Sequence, residues 1–268
     1  MLKYKKPSFK NKKYLEKFFI KKGLKFLVEQ SKKKPLLANQ KKLVKPVILP
    51  KLDDLYNLYQ YILINKRTTV LEFGSGWSTL IFSLALRELR NKFSKEVKLL
   101  RRNNPFELFV IENSKKYLNI TRNRIQKINK YLKIKNPIRI NYHLTDVEMS
   151  TFNDRICTQY KKLPICNPDF IYIDGPDQFN IKKHINGIST KHNDMMPMTC
   201  DILKFEHFYT PGTMIVCDGR AANAKFYRDN FQRNWKYLND KKADQHVFYL
   251  NDPILGKYNK LQIKFYNH

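Results

Sequence analysis

The chain has 268 residues, of which 42% are hydrophobic and 13% aromatic, so it can bury enough surface to offset the entropy lost on ordering; this excludes a chain disordered throughout. Its formal net charge of +29 favours anionic partners such as nucleic acid, acidic lipid headgroups, phosphorylated small molecules or acidic glycans, although a lysine-rich composition can equally reflect a bias in the genome. No apolar stretch approaches the roughly 18 residues of a membrane span, and four cysteines without metal-ligand spacing indicate reduced thiols in a cytoplasmic protein.

Residues 1–51 form a lysine-rich N-terminal extension and linker, with 17 lysines and no arginine against Glu16 and Glu29. Apolar residues recur at helical spacing over residues 14–29, which predicts a basic amphipathic helix interrupted at Gly23. Such a helix either packs on the neighbouring domain or makes a peripheral contact with an anionic membrane. Three prolines between residues 35 and 50 then predict a linker.

Residues 52–268 alternate between helical patterns and apolar runs of strand length, beginning with a helix after Pro50. Further helices are predicted over residues 79–90, 114–131, 198–208 and 221–233. The strand-like runs are TTVLEF, FELFVIE, IRINYHL, DFIYID, TMIVCD, HVFYL and LQIKFY. This alternation predicts an α/β domain with a Rossmann-like, doubly wound, mostly parallel seven-stranded sheet and helices on both faces. The last two runs have no helix between them and predict an antiparallel edge pair.

Each of the five central strand-like runs has an acid at or near its end. These acids are Glu72, Glu112, Asp146, Asp174 and Asp218. Because ligands of open α/β sheets bind at the carboxyl ends of the strands, the acids indicate a site there.

The first run leads into the turn EFGSGWST at residues 72–79. A dinucleotide-binding turn would have a third glycine where this chain has Thr79. Glu72, two residues before Gly74, would repel a diphosphate but attract a cation such as the ammonium group of an amino-acid moiety. Glu112, which ends the next run, can accept hydrogen bonds from both hydroxyls of a ribose.

These residues resemble the first motif of the class I S-adenosylmethionine-dependent methyltransferase family, which reads acid-x-Gly-x-Gly-x-Gly. The match is at Glu72, Gly74 and Gly76, and Ser78 stands in place of the third glycine. The closest likeness is to O-methyltransferase-type members that act on small molecules or sugars. The resemblance covers about residues 52–268.

The resemblance implies that S-adenosylmethionine is the cofactor. Glu72 and the turn would hold its methionine end, Glu112 its ribose, and Asp146 would lie near the adenine amino group. The cofactor-binding residues expected in this way are Glu72, Phe73, Gly74, Ser75, Gly76, Ser78, Thr79, Glu112, Asn113 and Asp146. Glu112 follows Gly76 by 36 residues, because a basic insertion precedes the second strand; it forms either a solvated helix extension or a charged flap.

Transfer of a methyl group to a hydroxyl also requires a base. The catalytic candidates follow the fourth run: Asp174, Asp177 and His184. The chain has Asp-Gly-Pro-Asp where enzymes that methylate base nitrogens carry Asn/Asp-Pro-Pro-aromatic, which argues against that chemistry and resembles the O-methyltransferase group.

Some members of that group bind Mg²⁺ through acids after the fourth and fifth strands, and Asp174 and Asp218 fall at those places. The usual third ligand, however, is Gly219 in this chain. Without a metal, Asp174 would cap its loop or orient the acceptor, and His184 would serve as the base. Arg220 can either bind a carboxylate or phosphate of the acceptor or form an ion pair with Asp174 or Asp177.

The sequence therefore predicts a methyltransferase that acts on the oxygen of a small or glycan-like acceptor, anionic acceptors included. One alternative is an RNA methyltransferase that grips phosphates with the basic N-terminal arm. The other is a non-catalytic binding protein that keeps the cofactor fold. The oligomeric state does not follow from the sequence.

Overall fold

A computed structural model describes residues 2–33, 49–192 and 194–268. Two helices lie in the N-terminal extension, α1 (Lys12–Lys21) and α2 (Lys25–Ser31), and six further helices follow. These are α3 (Leu52–Ile64), α4 (Trp77–Lys98), α5 (Lys115–Tyr131), α6 (Asp201–Lys204), α7 (Ala221–Asn230) and α8 (Gly256–Asn267). A single 3₁₀ turn, Glu206–Phe208, follows α6.

The described residues form one sheet of seven strands and one of three. The large sheet contains β1 (Thr69–Phe73), β2 (Glu107–Glu112), β3 (Ile140–Leu144), β6 (Phe170–Ile173), β8 (Met214–Asp218), β9 (Trp235–Asp240) and β10 (Gln245–Leu250). The small sheet contains β4 (Val147–Phe152), β5 (Arg155–Tyr160) and β7 (Ile181–Lys182). The order across the large sheet is β3-β2-β1-β6-β8-β10-β9.

The first five strands of the large sheet are parallel, and β10 pairs antiparallel with both β8 and β9. One apolar core, with α3, α4, α5 and α8, covers one face of this sheet, and a second, with α6, α7 and the small sheet, covers the other. The predicted Rossmann-like, doubly wound, mostly parallel sheet is confirmed. Strand order reverses between β1 and β6, where such sheets bind ligands.

The composition of the edge pair differs from the prediction. The run LQIKFY is not a strand, because residues 261–266 lie in α8, and the edge pair consists of β9 and β10. The buried residues of α8 include Asn259, Gln262, Ile263 and Tyr266, whose spacing is helical. The prediction was wrong because a short apolar run does not by itself distinguish a strand from the buried face of a helix.

The predicted helices are present with shifted ends. The basic insertion is a helix extension, since α4 continues to Lys98 and buries Val97 in its last turn. The helix expected over residues 198–208 is only the short α6 and the 3₁₀ turn. The hairpin of β4 and β5 was not predicted.

The N-terminal extension packs against the α/β core. Gly23 separates α1 from α2 at a φ of +78°, a left-handed conformation that favours glycine. Phe19, Leu24 and Leu27 are fully buried and belong to the same core as α3 and α4. The predicted linker falls mostly outside the described residues. No helix among the described ranges is long and apolar enough to cross a membrane.

Candidate functional site

Glu112, Asp174 and Asp218 lie along one edge of the large sheet, and Glu72 is the last residue but one of β1. Phe73 of β1 is in register with Ile111 of β2 and with Ile173 of β6, and Ile173 is in register with Cys217 of β8. The residue after each of these positions therefore stands at the same edge. We call the region where β1, β2, β6 and β8 end the carboxyl edge.

The glycine turn after β1 packs directly against the loop after β6. Gly74 has a φ of +99°, and a Cβ atom built on it would lie 2.9 Å from the backbone nitrogen of Gly175. A Cβ atom on Gly175 would lie 2.6 Å from the nitrogen of Gly74 and 2.7 Å from the hydroxyl of Tyr160. Only residues without a side chain fit at this crossing, so the two glycines fix the distance between the two loops.

Glu72 is a buried carboxylate without a cationic partner. Its side chain is 0% exposed; its Oε1 accepts a hydrogen bond of 2.5 Å from the hydroxyl of Ser78, and its Oε2 has no partner among the described residues. Burial raises the pKa of Glu72 to about 8, against the opposing effects of the Ser78 and Thr79 hydroxyls. A carboxyl group in this state would gain from a bound cation.

Glu112 holds the neighbouring loops together. Its Oε2 accepts a hydrogen bond of 2.7 Å from the hydroxyl of Ser75, and its Oε1 accepts 2.9 Å hydrogen bonds from the backbone N–H groups of Asn113 and Ser114. Burial raises the pKa of Glu112, and these hydrogen bonds oppose the shift. Glu112 therefore connects the turn after β1 to the end of β2, as a shared ligand site requires.

Of the remaining residues expected to bind the cofactor, Gly76 is open to a ligand and Phe73 is buried in the core. Gly76 is open, since a Cβ atom built there would meet nothing closer than the Ser78 hydroxyl at 3.9 Å. Its N–H donates to the hydroxyl of Thr79 at 3.1 Å. Phe73 points into the core, where its ring packs edge-on against Tyr160 at 5.2 Å. The backbone of Gly76 is thus the part of the turn that a ligand can approach.

The side chain of Asn113 joins the end of β2 to the loop after β6. Its Nδ2 donates to the carbonyl oxygens of Asn180 at 3.0 Å and Asp177 at 3.3 Å, and its Oδ1 accepts from the N–H of Asp177 at 3.1 Å. The side chain of Asn180 donates in return to the backbone carbonyl of Asn113. Asn113 therefore holds residues 177–180 over the carboxyl edge.

Replacing Asn113 by alanine should loosen this loop. Three side-chain hydrogen bonds are lost, and at about 1 kcal/mol each this favours local opening on the order of a hundredfold. Limited trypsin digestion should then cleave at the exposed Lys182 and Lys183 correspondingly faster. Asn123→Ala, on the exposed surface of α5, is the matched control and should be cleaved at the wild-type rate; equal rates for the two variants would contradict the role of Asn113.

Asp174 and Arg220 lie together at the mouth of the carboxyl edge. The Asp174 side chain is half-exposed, and its Oδ1 lies 3.8 Å from Nε of Arg220. Nη2 of Arg220 donates to the backbone carbonyl of Asp174 and, at 3.3 Å, to that of Pro176, whereas its Nη1 has no partner among the described residues. Desolvation by the loops and the nearby Asp218 raise the pKa of Asp174, although its exposure and Arg220 temper the shift. Arg220 thus supports the loop that carries Asp174.

The other predicted site residues are held elsewhere. Asp177 accepts a hydrogen bond from the N–H of Phe179 at 3.1 Å within its own loop. His184 is exposed beyond β7. Asp146 lies 2.8 Å from Nζ of Lys182 and 3.9 Å from Nζ of Lys161, and the hydrogen bond from Lys182 lowers its pKa. The structure therefore brings Glu72, Glu112 and Asp174 to one edge, whereas Asp146 is engaged by two lysines and His184 by no described partner.

The described ranges contain no cluster of three side chains of the types that usually bind metals. No three His, Cys, Asp or Glu side chains are grouped there as ligands of one metal ion would be. Burial raises the pKa of Asp218, which accepts a hydrogen bond of 3.4 Å from Nε2 of Gln245. Asp174 and Asp218 therefore lack the third protein ligand that the Gly219 position had already put in doubt.

Tyr160 was missed by sequence reasoning. It ends β5, is almost fully buried, and its hydroxyl has no partner among the described residues although it lies against Gly175. Its hairpin turns at Asn153 and Asp154, which have φ values of +48° and +59°. Asn and Asp tolerate this left-handed conformation, so the Asn-Asp pair is a weak turn signal that could have pointed to β4 and β5.

The chain matches no protein-family model and no curated protein. It is similar to a solved structure of an O-methyltransferase from Bacillus cereus in complex with SAH, with 14% sequence identity and a TM-score of 0.39 over 91% of this chain and 93% of that one. It is also similar to the O-methyltransferase TomG from Streptomyces achromogenes, involved in tomaymycin synthesis, in complex with SAM, with 9% identity and a TM-score of 0.42 over 91% of this chain and 100% of that one. A third similar structure is that of the SAH-bound methyltransferase PaMTH1 from Podospora anserina, with 10% identity and a TM-score of 0.39 over 93% of this chain and 100% of that one. Any assignment of function must therefore rest on the side chains at the carboxyl edge.

Proposed function

We propose that the protein is an S-adenosylmethionine-dependent methyltransferase that acts on the oxygen of a small or glycan-like acceptor, anionic acceptors included. The observation that carries the proposal is Oε2 of Glu72, a buried carboxylate oxygen without a partner among the described residues, beside a glycine turn whose Gly76 is open to a ligand. The ammonium group of the cofactor's methionine moiety would supply the positively charged partner that Glu72 lacks among the described residues.

The neighbouring strand would hold the sugar of the cofactor. Glu112 and the Ser75 hydroxyl are already in contact at 2.7 Å, and a carboxylate oxygen can accept a second hydrogen bond. A ribose hydroxyl would donate to Glu112 beside Ser75, which ties ligand binding to the turn after β1. When bound, S-adenosylmethionine supplies a methyl group on a sulfonium centre.

Asp174 is the proposed base for the acceptor hydroxyl. It is half-exposed at the carboxyl edge and its pKa is raised, so it can receive a proton nearer neutral pH than an ordinary aspartate. Arg220 orients it, and its Nη1 group, which has no partner in the part of the chain that the structure describes, suits an anionic acceptor. Asp177 would shape the loop, and His184 would have to move toward the edge to take part.

Calorimetric titration with S-adenosylhomocysteine tests the cofactor site. The wild type should bind, and Glu112→Gln should lower the affinity at least about tenfold, since it removes a charge-assisted acceptor. Glu107→Gln is the matched control, because Glu107 begins the same strand at the opposite edge, near Asn141 and Arg139. No binding by the wild type would overturn the proposal in favour of a non-catalytic protein. A steep salt dependence of binding to RNA would instead favour the RNA enzyme.

Replacing Gly76 by alanine should separate ligand binding from stability. The added methyl group meets nothing within 3.9 Å, and the φ of −176° is open to any residue, so thermal unfolding should change by less than a few degrees. The methyl group would nevertheless stand where the ligand approaches the backbone, and we expect the affinity for S-adenosylhomocysteine to fall at least about tenfold. Unchanged affinity would place the ligand elsewhere.

A further inference from the structure

A cleft of about 700 Å³ lies outside the carboxyl edge, between α2, the first residue of α4 and the outer face of α5. Its volume is within the range of small-molecule sites in proteins. Phe26, Ile120 and Ile128 contribute apolar wall, and Arg124 and Trp77 lie between them. None of the residues proposed for methyl transfer lines it.

Arg124 is a cation without an acidic partner in this cleft. Its guanidinium carbon lies 3.8 Å from the centre of the Trp77 ring, a stacking contact that leaves the N–H groups at the edge of the guanidinium plane for other partners. Within the described ranges Arg124 makes no hydrogen bond and no ion pair. Desolvation lowers its pKa, and no neighbouring carboxylate compensates for the lost hydration. An anion in the cleft would supply that compensation.

The rest of the lining has the same sign of charge. Lys25 and Lys127 add two cations, and Glu29 is the one acid among the described lining residues. Glu29 lies 4.0 Å from Lys25, and both side chains are largely exposed, so this ion pair contributes little. The cleft therefore offers a net positive charge beside apolar and aromatic walls.

We propose that this cleft binds a small organic anion, with a flat apolar body against Phe26, Ile120 and Ile128 and a phosphate, sulfonate or carboxylate group on Arg124. A compact anion fits better than single-stranded nucleic acid, because Arg124 already covers the ring of Trp77, and the Phe26 ring centre lies 6.3 Å from it. This site does not depend on methyl transfer. Because Trp77 directly follows Gly76, a ligand in the cleft would contact the helix that begins at the glycine turn.

Fluorescence titration with 8-anilinonaphthalene-1-sulfonate, an aromatic sulfonate, tests the site. The wild type should bind the probe, and Arg124→Gln should weaken binding on the order of tenfold because the charge-assisted fork is lost. The matched control is Arg122→Gln on the same helix, whose guanidinium stacks on Tyr142 at 4.9 Å and does not line the cleft. It should bind within twofold of the wild type. Equal affinities of all three proteins would overturn the proposal.

A second variant distinguishes loss of the site from misfolding and from binding of the probe at other apolar grooves. Ile120 is 44% exposed at the cleft, so Ile120→Glu leaves the core intact and places a like charge beside the anion. It should weaken the probe at least as much as Arg124→Gln, with an unchanged circular dichroism spectrum. Displacement then identifies the ligand chemistry. Displacement by adenosine monophosphate at lower concentration than by inorganic phosphate supports a phosphate with an apolar body. Stronger displacement by a uridine oligonucleotide than by the mononucleotide would overturn the proposal.

Discussion

Replacing Gly175 by alanine should lower the free energy of unfolding by about 3 kcal/mol or more. The new Cβ would lie 2.6 Å from the backbone nitrogen of Gly74 and 2.7 Å from the hydroxyl of Tyr160. Backbone cannot yield as the end of a flexible side chain can, so the two loops must separate. Urea denaturation followed by circular dichroism measures the change.

Gly187→Ala is the control for this variant. Gly187 has a φ of +77° and nothing within 4 Å of its would-be Cβ, so only the backbone strain of about 1 kcal/mol is expected. A cost for Gly175→Ala no larger than that of Gly187→Ala would show that the two loops do not pack as tightly as the structure has them. Because the same crossing holds the glycine turn after β1 against the loop that carries Asp174, Gly175→Ala should also abolish binding of S-adenosylhomocysteine.

The affinity for S-adenosylhomocysteine should rise steeply with pH between about 6 and 8. The pKa of Glu72 is raised to about 8 by burial, so below that pH the ligand-free protein holds this group protonated. An ammonium group binds the ionised form, and Glu72 must then release its proton, which costs about tenfold in affinity for each pH unit below the pKa. Above pH 8 the amino group of the ligand begins to lose its own proton, so the affinity should be highest near pH 8.

Glu72→Gln should abolish this rise of affinity with pH. It should also raise the stability of the ligand-free protein and lower its affinity for the ligand. The unfolded chain releases the Glu72 proton at a lower pH than the folded protein does, so the ligand-free wild type loses stability as the pH rises from about 4.5 to 8. A neutral glutamine removes that loss, and we expect about 2 kcal/mol of added stability at pH 8. Ligand affinity at pH 8 should fall at least about tenfold in the same variant.

Calorimetry in buffers of different ionisation enthalpy checks both statements, because proton release on binding should approach one per site at pH 6.5 in the wild type and vanish in Glu72→Gln. Thermal unfolding across the same pH range measures the stability change. A wild-type affinity independent of pH, or a destabilised Glu72→Gln protein, would show that Glu72 is not an uncompensated carboxylate awaiting a cation.

Much of the fold could be predicted from local pattern. Runs of apolar residues closed by acids located β1, β2, β6 and β8, because a parallel central strand is buried on both faces and needs no long-range information to be recognised. The same regularity put Glu72, Glu112 and Asp174 at one edge of the sheet. Their roles in binding and catalysis stay predictions until ligand titrations test them.

Elements at the periphery were harder to predict. Apolar and polar residues alternate along β4 and β5, and the turn between them has only a weak signal at Asn153 and Asp154. The sequence therefore did not point to the hairpin or to Tyr160. The run at residues 261–266 was apolar enough for a strand, yet it became the inner face of α8 because Ile263 and Tyr266 pack on the large sheet as a helix. For residues 261–266, tertiary packing outweighed the local preference.

The sequence by itself determined a doubly wound α/β chain with an acid and a glycine turn at the end of its first strand, because strand burial and turn chemistry are local properties. Only the tertiary structure decided which charges are compensated. Arg220 lies on the loop of Asp174, two lysines hold Asp146, and Glu72 and Arg124 are left without counter-charges among the described residues. The physical reason is that the pKa of a group and its affinity for an ion depend on neighbours distant in the chain and on exclusion of water, which exist only after the chain has folded.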